Sequence, residues 1–272
     1  MTFHQSMAAL LLALAPHMAL AQPATTAPSQ GTDAMPVYAM LSLIGDKLEI
    51  VIKRFQTGSN ISQNLRQPVP IDNPIFDSTA ASAAGKSIKQ AQPNAELAIL
   101  NARSAVLFEK QRTLFDERGD KLGVPEAIVN AAKQQGANRL LLVLKRRDDA
   151  NFLFARSGNY ADGGKLEGLG FFVDGTMQVN TYDDKTNERT AAGTGFIAPY
   201  VYVEVILLET SSQRVLGRRQ VSASRMVGSG RAGQDIGEPW NALSSADKVR
   251  HVSQLIEREV TKATLEIVSA LK

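Results

Sequence analysis

The apolar and polar positions of the first third of the chain predict two strands, a loop and a helix. Two apolar runs rich in β-forming residues, 37–44 and 48–52, flank a Gly-Asp-Lys stretch and predict a hairpin. The glycine- and proline-containing segment 53–74 predicts an extended loop. From Phe76 onward Ala and Ile recur at helical spacing, and Asp77 is placed to cap the helix by accepting from the free N–H groups of its first turn.

The middle of the chain predicts a short strand, a helix and a buried strand. The short strand is expected at 96–100, whereas 107–122 fits either a charged helix or a loop. Pro125 opens a firmer helix as its first residue, and Gly136 is placed to end it. Residues 140–144 are all apolar, which is typical of a strand covered on both faces.

Residues 158–198 are rich in glycine and predict a β-rich insertion. Within it, strands at 166–173 and 176–182 flank an Asp-Gly pair at 174–175, which is a strong signal for a tight hairpin turn. Residues 183–194 are polar and predict a loop.

A second hairpin and a long helix are expected at the end of the chain. The strands of this hairpin are 200–208 and 215–223, and a glycine-rich loop follows at 225–239. Ser244 or Ser245 caps a helix whose apolar stripe continues to Leu271. The whole order predicts an α/β fold in one sandwich domain, with helices packed on a mixed, mostly antiparallel sheet.

The N-terminus predicts an export signal. Residues 8–15 are all Ala or Leu, and Ala-Leu-Ala at 19–21 has the small-x-small form of a signal peptidase site. We expect a signal peptide at 1–21, a flexible leader at 22–36 and the α/β domain at 37–272, in the periplasm or secreted from a Gram-negative bacterium. The alternative is a buried N-terminal helix. No lipid anchor is expected, because the 272-residue chain has no cysteine.

Composition excludes several kinds of site. Without cysteine there is no disulfide, thiol nucleophile or thiolate metal site. The net charge of +3 is small, and the basic cluster 145–147 is followed directly by Asp148 and Asp149. We therefore interpret these cations as solvated strand ends and expect no nucleic-acid partner. No apolar run is long enough to cross a membrane, which needs about 20 residues.

No catalytic residue, metal ligand or cofactor site is predicted. His251 is the one histidine beyond the signal peptide, and no Gly-x-Ser-x-Gly elbow accompanies it, so a surface position on the last helix is expected. The tripeptide 85–87, Gly-Lys-Ser, lies within a helical pattern and does not follow a strand, as a phosphate-binding loop would.

Two stretches carry a resemblance to known bacterial proteins. Residues 131–143 follow the pattern helix, Gly-Ala, apolar strand, and residues 202–216 follow the pattern strand, polar turn, Val-Leu. This layout resembles envelope domains of the curli-secretion and lipoprotein-activator type, and is similar to the N-terminal domain of the Tol-system β-propeller protein. The resemblance implies an α/β sandwich used in protein–protein assembly, without catalysis, and another envelope protein as the partner. The chain also resembles uncharacterised secreted proteins of Gram-negative bacteria.

Aromatic residues concentrate in and beside the insertion. They either pack the hairpins onto the sheet or form a partner-binding surface, since Tyr and Phe are enriched at interface cores. We predict that a partner docks on the region 158–202. The candidate binding residues are Tyr160, Phe171, Phe172, Tyr182, Phe196, Tyr200 and Tyr202.

Two other functions stay open on the sequence alone. Paired carboxylates of the insertion could hydrolyse envelope polymers or bind Ca²⁺. A cleft of the sandwich could instead bind a small molecule. The candidate carboxylates are Asp162, Glu167, Asp174, Asp183 and Asp184.

Overall fold

The computed structural model describes residues 35–54, 64–102, 104–154, 158–182, 189–228 and 239–271. The predicted signal peptide and most of the predicted leader lie outside these residues. Within them, no helix is both long enough and apolar enough to span a bilayer.

The described residues form twelve strands, five α-helices and one 3₁₀ helix at Pro239–Ala242. The strands are β1 (Val37–Ser42), β2 (Lys47–Ile52), β3 (Leu65–Pro70), β4 (Glu96–Leu100), β5 (Glu117–Arg118), β6 (Lys121–Leu122), β7 (Arg139–Lys145), β8 (Arg147–Phe154), β9 (Gly158–Tyr182), β10 (Arg189–Glu209), β11 (Val215–Ser224) and β12 (Val227–Gly228). The helices are α1 (Ile75–Ala91), α2 (Ala105–Glu109), α3 (Gln111–Leu114), α4 (Glu126–Gln134) and α5 (Ser245–Ser269).

Ten of these strands form one mixed sheet, in which most pairings are antiparallel. Strand β10 is the central strand of this sheet. On one edge of β10, β9 pairs with the N-terminal part and β7 pairs with the C-terminal part, and β11 pairs with the other edge. The next position in the strand order is also divided between two strands, because β1 lies beside β7 and β2 lies beside β9. The predicted fold class is confirmed.

Alternation along β10 separates two layers of helices. Successive side chains of a strand point to opposite faces. Val203 and Val205 therefore join the apolar cluster under α1 and α5, whereas Ile206 and Leu208 join the cluster under α4. The run 140–144 divides between the same two clusters, so the prediction of a strand buried on both faces is confirmed.

A third apolar cluster lies where β8 and the first part of β9 turn back toward β11. Phe152 of β8 packs there against Phe172 and Phe196, with ring centroids 4.5 and 5.9 Å away. Side chains of β11 hold the turned-back hairpin, since the Ser222 hydroxyl donates to Asp148 at 2.8 Å and Ser224 donates to a carbonyl of β8 at 3.3 Å.

Both predicted helix ends on α4 and α5 are found. Gly136 has a φ of +69° directly after the last turn of α4, the left-handed conformation that glycine adopts most easily. Pro125 is not the first helical residue, as was predicted, but the residue directly before it. The Ser244 hydroxyl accepts from the N–H of Asp247 at 3.1 Å and caps α5.

The predicted hairpin of 37–44 and 48–52 is wrong. Strand β1 pairs in parallel with β4 and β7, and β2 pairs with β3 and β9, so the two runs follow one another along the sheet. Residues 65–70 of the predicted loop form β3 at the edge of the sheet. Both runs are apolar enough to need neighbouring strands on both edges and packed side chains on both faces. A simple two-stranded hairpin does not supply these contacts.

The predicted turn at 174–175 is also wrong. Strand β9 continues through both residues, and its ladder with β10 shifts register there. The Asp174 side chain is buried, accepts from the N–H and hydroxyl of Thr176 at 2.7 Å, and pairs with Lys53 at 3.2 Å. The predicted loop 183–194 is a strand from residue 189 onward, whereas 183–188 lie outside the described residues. Residues 158–198 therefore supply central strands of the sheet.

Asp77 does not cap α1, because it lies inside the first turn and Pro74 occupies the cap position. Its Oδ1 atom instead accepts from the Ser42 hydroxyl at 2.6 Å and from the N–H groups of Ile44 and Gly45 at 2.9 and 3.2 Å. Asp77 thus joins α1 to the junction between β1 and β2. Burial raises the pKa of this carboxyl above its ordinary value of 3.8.

We expect Asp77→Ala to lower the free energy of unfolding by about 2 kcal/mol, because it leaves two N–H groups without an acceptor. Asp77→Asn keeps an acceptor oxygen and is expected to lose less. A raised folded-state pKa means that the stability contributed by Asp77 is full below its unfolded pKa and is lost as the pH rises through the folded pKa. Wild type should therefore lose stability relative to Asp77→Asn as the pH rises above 3.8, the ordinary carboxyl pKa. Urea denaturation of both proteins at a series of pH values measures this change. A gain in wild-type stability relative to Asp77→Asn as the pH rises would contradict the assignment.

Candidate functional site: an ionic groove beside α2 and α3

Three adjoining cavities meet at Lys145, where α2 and α3 pass over the end of β7 and the beginning of β8. Their volumes are about 440, 170 and 490 Å³. We call this continuous surface the ionic groove. Its charged lining residues are the cations Lys47, Lys110, Arg112, Lys145, Arg146, Arg147 and Lys165 and the carboxylates Glu49, Glu109, Glu117, Glu167 and Glu204.

The buried side chain of Gln111 fixes the two short helices over the sheet. Its Nε2 donates to the carbonyls of Leu43 and Phe108 at 2.5 and 3.2 Å, and its Oε1 accepts from the N–H of Lys145 at 2.9 Å. Leu43 follows β1 and Lys145 ends β7, so one amide joins α2 and α3 to two neighbouring strands. A buried polar group with all of these bonds made is rigid, and it gives the groove a fixed floor.

Lys145 belongs to this floor. Its side chain is only 8% exposed, and its ammonium pairs with Asp46 at 2.5 Å. The same ammonium donates to the carbonyl of Phe108 at 3.3 Å and lies 5.8 Å from the centre of the Phe108 ring. A buried charge needs partners of this kind, because removing one of them leaves the other charge unpaired. Lys145 is therefore held by the protein and is not available to a ligand.

The other cations of the groove are held loosely. Arg112 is 59% exposed and pairs with Glu167 at 2.9 Å, and Lys165 is 47% exposed and pairs with Asp149 at 2.6 Å. Exposed pairs of this kind contribute about 0–1 kcal/mol each, so an incoming carboxylate can replace the partner at little cost. Arg147 lines the groove and forms no ion pair with any described residue. Arg112, Arg147 and Lys165 are the cations that an anionic ligand can reach in the first cavity.

Arg146 is held more firmly than these three cations, since its side chain is 22% exposed. Its guanidinium donates to Asp148 at 2.6 Å and to the Ser222 hydroxyl at 2.7 Å. The hydrogen bond from Arg146 lowers the pKa of Asp148 from 3.8 to about 2, so this carboxylate is ionised at any physiological pH. The pair ties β8 to β11 and defines the far wall of the groove.

Five of the seven predicted aromatic residues are buried, and none of the five lines the groove. Phe171 packs under the α1/α5 layer against Trp240, with ring centroids 5.6 Å apart. The other four belong to the third apolar cluster, namely Phe172, Phe196, Tyr200 and Tyr202. The side chains of Tyr160 and Tyr182 lie outside the description. Partner binding by these residues stays a prediction. The five buried side chains could not contact a partner on the described surface, and would affect its binding only by positioning the strands that carry them.

Two of these buried aromatic residues, Tyr200 and Tyr202, link strands through their hydroxyl groups. Tyr202 donates to the carbonyl of Asp149 at 3.2 Å and accepts from the N–H of Asn151 at 3.3 Å. Tyr200 donates to the carbonyl of Glu49 at 3.3 Å. Burial raises the pKa of both hydroxyls, so they stay protonated and act as donors. They hold β8 and β2 against β10, beside the groove.

The two predicted carboxylates whose side chains the structure describes, Glu167 and Asp174, do not form a catalytic pair. Glu167 lies in the groove and Asp174 is buried beside Lys53, seven positions further along the same strand. At roughly 3.3 Å per residue this separates them by about 23 Å. Glycoside hydrolysis needs two carboxyl groups within about 10 Å. The side chain of Asp162, and residues 183 and 184, lie outside the description.

Sequence reasoning missed the groove. It interpreted the basic cluster 145–147 as solvated strand ends, which is wrong for Lys145 because that side chain is buried. The available signal was an apolar run that ends in three consecutive cations. The other walls come from residues near 112, 165 and 204, and nothing in the sequence pattern indicates that these segments meet.

No known protein family matches the chain, and no curated protein matches it. Among solved structures, a Xanthomonas campestris protein of the DUF330 family is 10% identical, with 90% of this chain and 88% of that chain covered and a TM-score of 0.32. A PelC dodecamer from Paraburkholderia phytofirmans is 10% identical, with 88% and 89% covered and a TM-score of 0.29. A neuraminyllactose-binding hemagglutinin homologue from Helicobacter pylori is 8% identical, with 90% and 98% covered and a TM-score of 0.32. All three are bacterial proteins, and likeness at these TM-scores carries nothing about what this chain binds.

Proposed function

We propose that this is an exported envelope protein that acts without catalysis, by binding a protein partner in the ionic groove. One observation carries the proposal: Arg112, Arg147 and Lys165 converge on one open cavity of about 440 Å³. The floor beneath them is fixed by Gln111 and Lys145, so the three cations are presented on a rigid base. The site lies partly within the predicted docking region 158–202. It presents charged side chains to a partner, whereas the prediction named aromatic ones.

The partner has acidic side chains at its docking surface. Five cations and two carboxylates line the cavity of about 440 Å³, and the exposed cations among them exchange partners at little cost. Complementary charge of this kind speeds association and selects the partner more than it adds affinity. Binding should therefore weaken as salt is raised, since exposed charges are screened within about 8 Å at physiological ionic strength.

The double substitution Arg147→Glu and Lys165→Glu is expected to weaken capture of the partner at least about tenfold, because it places two negative charges where the partner presents its own. The measurement is crosslinking in the native envelope followed by quantitative pulldown. Lys133→Glu, an exposed charge reversal on α4, is the matched control and should capture the wild-type set of partners.

An unchanged set of partners in the double variant would show that the groove is not the docking site. Deleting 158–198 is not an equivalent test, because it removes β9 and the N-terminal half of β10 from the centre of the sheet. Charge reversal at exposed positions leaves the buried core in place, so lost capture can be separated from lost folding by comparing the unfolding transitions of the two variants.

A further inference from the structure

A second cavity, of about 440 Å³, lies at the carboxyl ends of the parallel strands β1 and β4. The chain leaves these two strands toward opposite faces of the sheet. After β1 it continues through β2 and β3 to α1, which packs with the α5 layer, whereas after β4 it continues to α2, α3 and α4 on the other face. In open α/β sheets this divergence leaves a crevice, and ligands bind there. The topology thus places a ligand crevice where the cavity is found.

The crevice combines hydrogen-bonding groups with an apolar wall. Ser42, Asp77, Ser78 and Asn101 supply the polar groups. The apolar wall includes Ile99, which is 56% exposed although it is a large hydrophobic residue. A mostly apolar concavity with a few convergent polar groups is the usual composition of a small-molecule site.

Asp77 defines what the crevice can accept. Its Oδ1 atom is occupied by three donors from Ser42, Ile44 and Gly45, and no described residue donates to its Oδ2 atom. Asp77 lines the cavity, so this remaining oxygen is an acceptor that a ligand donor can reach.

Charge narrows the class of ligand. No Lys or Arg is among the residues that line this cavity, so only the N-terminus of α1 favours an anion there, and the Asp77 carboxylate opposes it. A cation meets the positive end of the α1 helix dipole, because Pro74 and Ser78 of the first turn are part of the wall. An uncharged molecule with hydroxyl donors and an apolar C–H face fits both the carboxylate and Ile99.

We infer that this crevice binds a small, uncharged, hydroxyl-rich molecule of the monosaccharide class, which donates to Asp77 and packs its C–H face on Ile99. The site is separate from the ionic groove and shares no lining residue with it. Its ligand therefore does not depend on the partner proposed above.

The test is titration of ¹⁵N-labelled protein with glucose, galactose, mannose and N-acetylglucosamine, followed by amide NMR. At least one sugar should produce saturable shifts at 42–45 and 101, with a dissociation constant on the order of 1–10 mM, as expected for a small ligand with few contacts. Ethanolamine and inorganic phosphate, the cationic and anionic probes, should leave these signals unchanged. No saturable shift from any sugar, or shifts from a charged probe alone, would overturn the inference.

Two matched variants of α1 make the test specific to the cavity. Ser78→Leu fills the crevice from an exposed position and should weaken sugar binding more than about tenfold, whereas Ser82→Leu makes the same change one turn further along, outside the cavity, and should bind as wild type does. Equal binding by both variants would place the sugar elsewhere and contradict the assignment.

Discussion

Phe172→Ala is expected to lower the free energy of unfolding by about 3–5 kcal/mol, the range for removing a buried phenylalanine. Phe172 is fully buried in the third apolar cluster, with the rings of Phe152 and Phe196 at 4.5 and 6.0 Å. Truncation leaves a cavity between strands β8, β9 and β10, which cannot close without moving the ladder. Chemical denaturation followed by circular dichroism measures the loss, and Val106→Ala, at a residue 51% exposed, should change stability by less than about 0.5 kcal/mol.

This result also separates the two interpretations of the aromatic residues. If Phe172 packs the sheet, its truncation lowers stability and affects partner capture only as far as folded protein is lost. An unchanged free energy of unfolding together with lost partner capture would instead place Phe172 at an interface, which its burial in the described structure does not permit.

Gly170→Ala is expected to destabilise the protein by about 3 kcal/mol or more, at the upper end of overpacking effects. A Cβ atom at this position would lie 2.0 Å from the carbonyl oxygen of Glu49 and 2.5 Å from the Tyr200 hydroxyl. The first contact is with backbone in the neighbouring strand, so no side-chain rotation relieves it. The Tyr200 hydroxyl would also be displaced from its hydrogen bond to the same carbonyl.

Gly175→Ala is the matched control for this substitution, since it makes the same change in β9 at a position where a Cβ atom has nothing within 4 Å. Its effect should be close to zero, or slightly stabilising through the lower entropy of the unfolded chain. The measurement is the urea midpoint of both variants at fixed protein concentration. Similar midpoints would mean that β2 does not approach β9 as closely as the structure describes.

Local rules predicted the elements whose structure is decided by their own residues. The run 140–144 had to be covered on both faces because it has no polar side, and the serine before α5 had to cap it because the first N–H groups of a helix need an acceptor. The same reasoning failed at 174–175. Asp-Gly favours a tight turn only when nothing competes, and here the Asp174 carboxylate is satisfied inside the strand by Thr176 and Lys53.

Pairing partners could not be predicted, and the ionic groove depends on them. The sequence shows that 37–44 and 48–52 are strands. It does not show that β7 and β9 share one edge of β10, where β7 pairs in parallel with the first run and β9 pairs in parallel with the second. That arrangement brings residues near 112, 165 and 204 to the cluster 145–147. The crevice at Asp77 was missed for the same reason, since its walls depend on which strands lie beside β1.

The shared edge of β10 joins residues that are far apart in the sequence, so we expect it to form late in folding. Ser42 meets Asp77 across a sequence separation of 35, whereas Tyr200 meets Glu49 across a separation of 151. Contacts between distant residues form late because a long loop must close first, so the β1–α1 unit can assemble while β2, β9 and β10 are still apart. During that interval the apolar run 140–144 is exposed to other unfolded chains. Three cations, Lys145, Arg146 and Arg147, follow this run as charged gatekeepers would, so we expect them to reduce aggregation of the nascent chain; in the folded protein they line the groove.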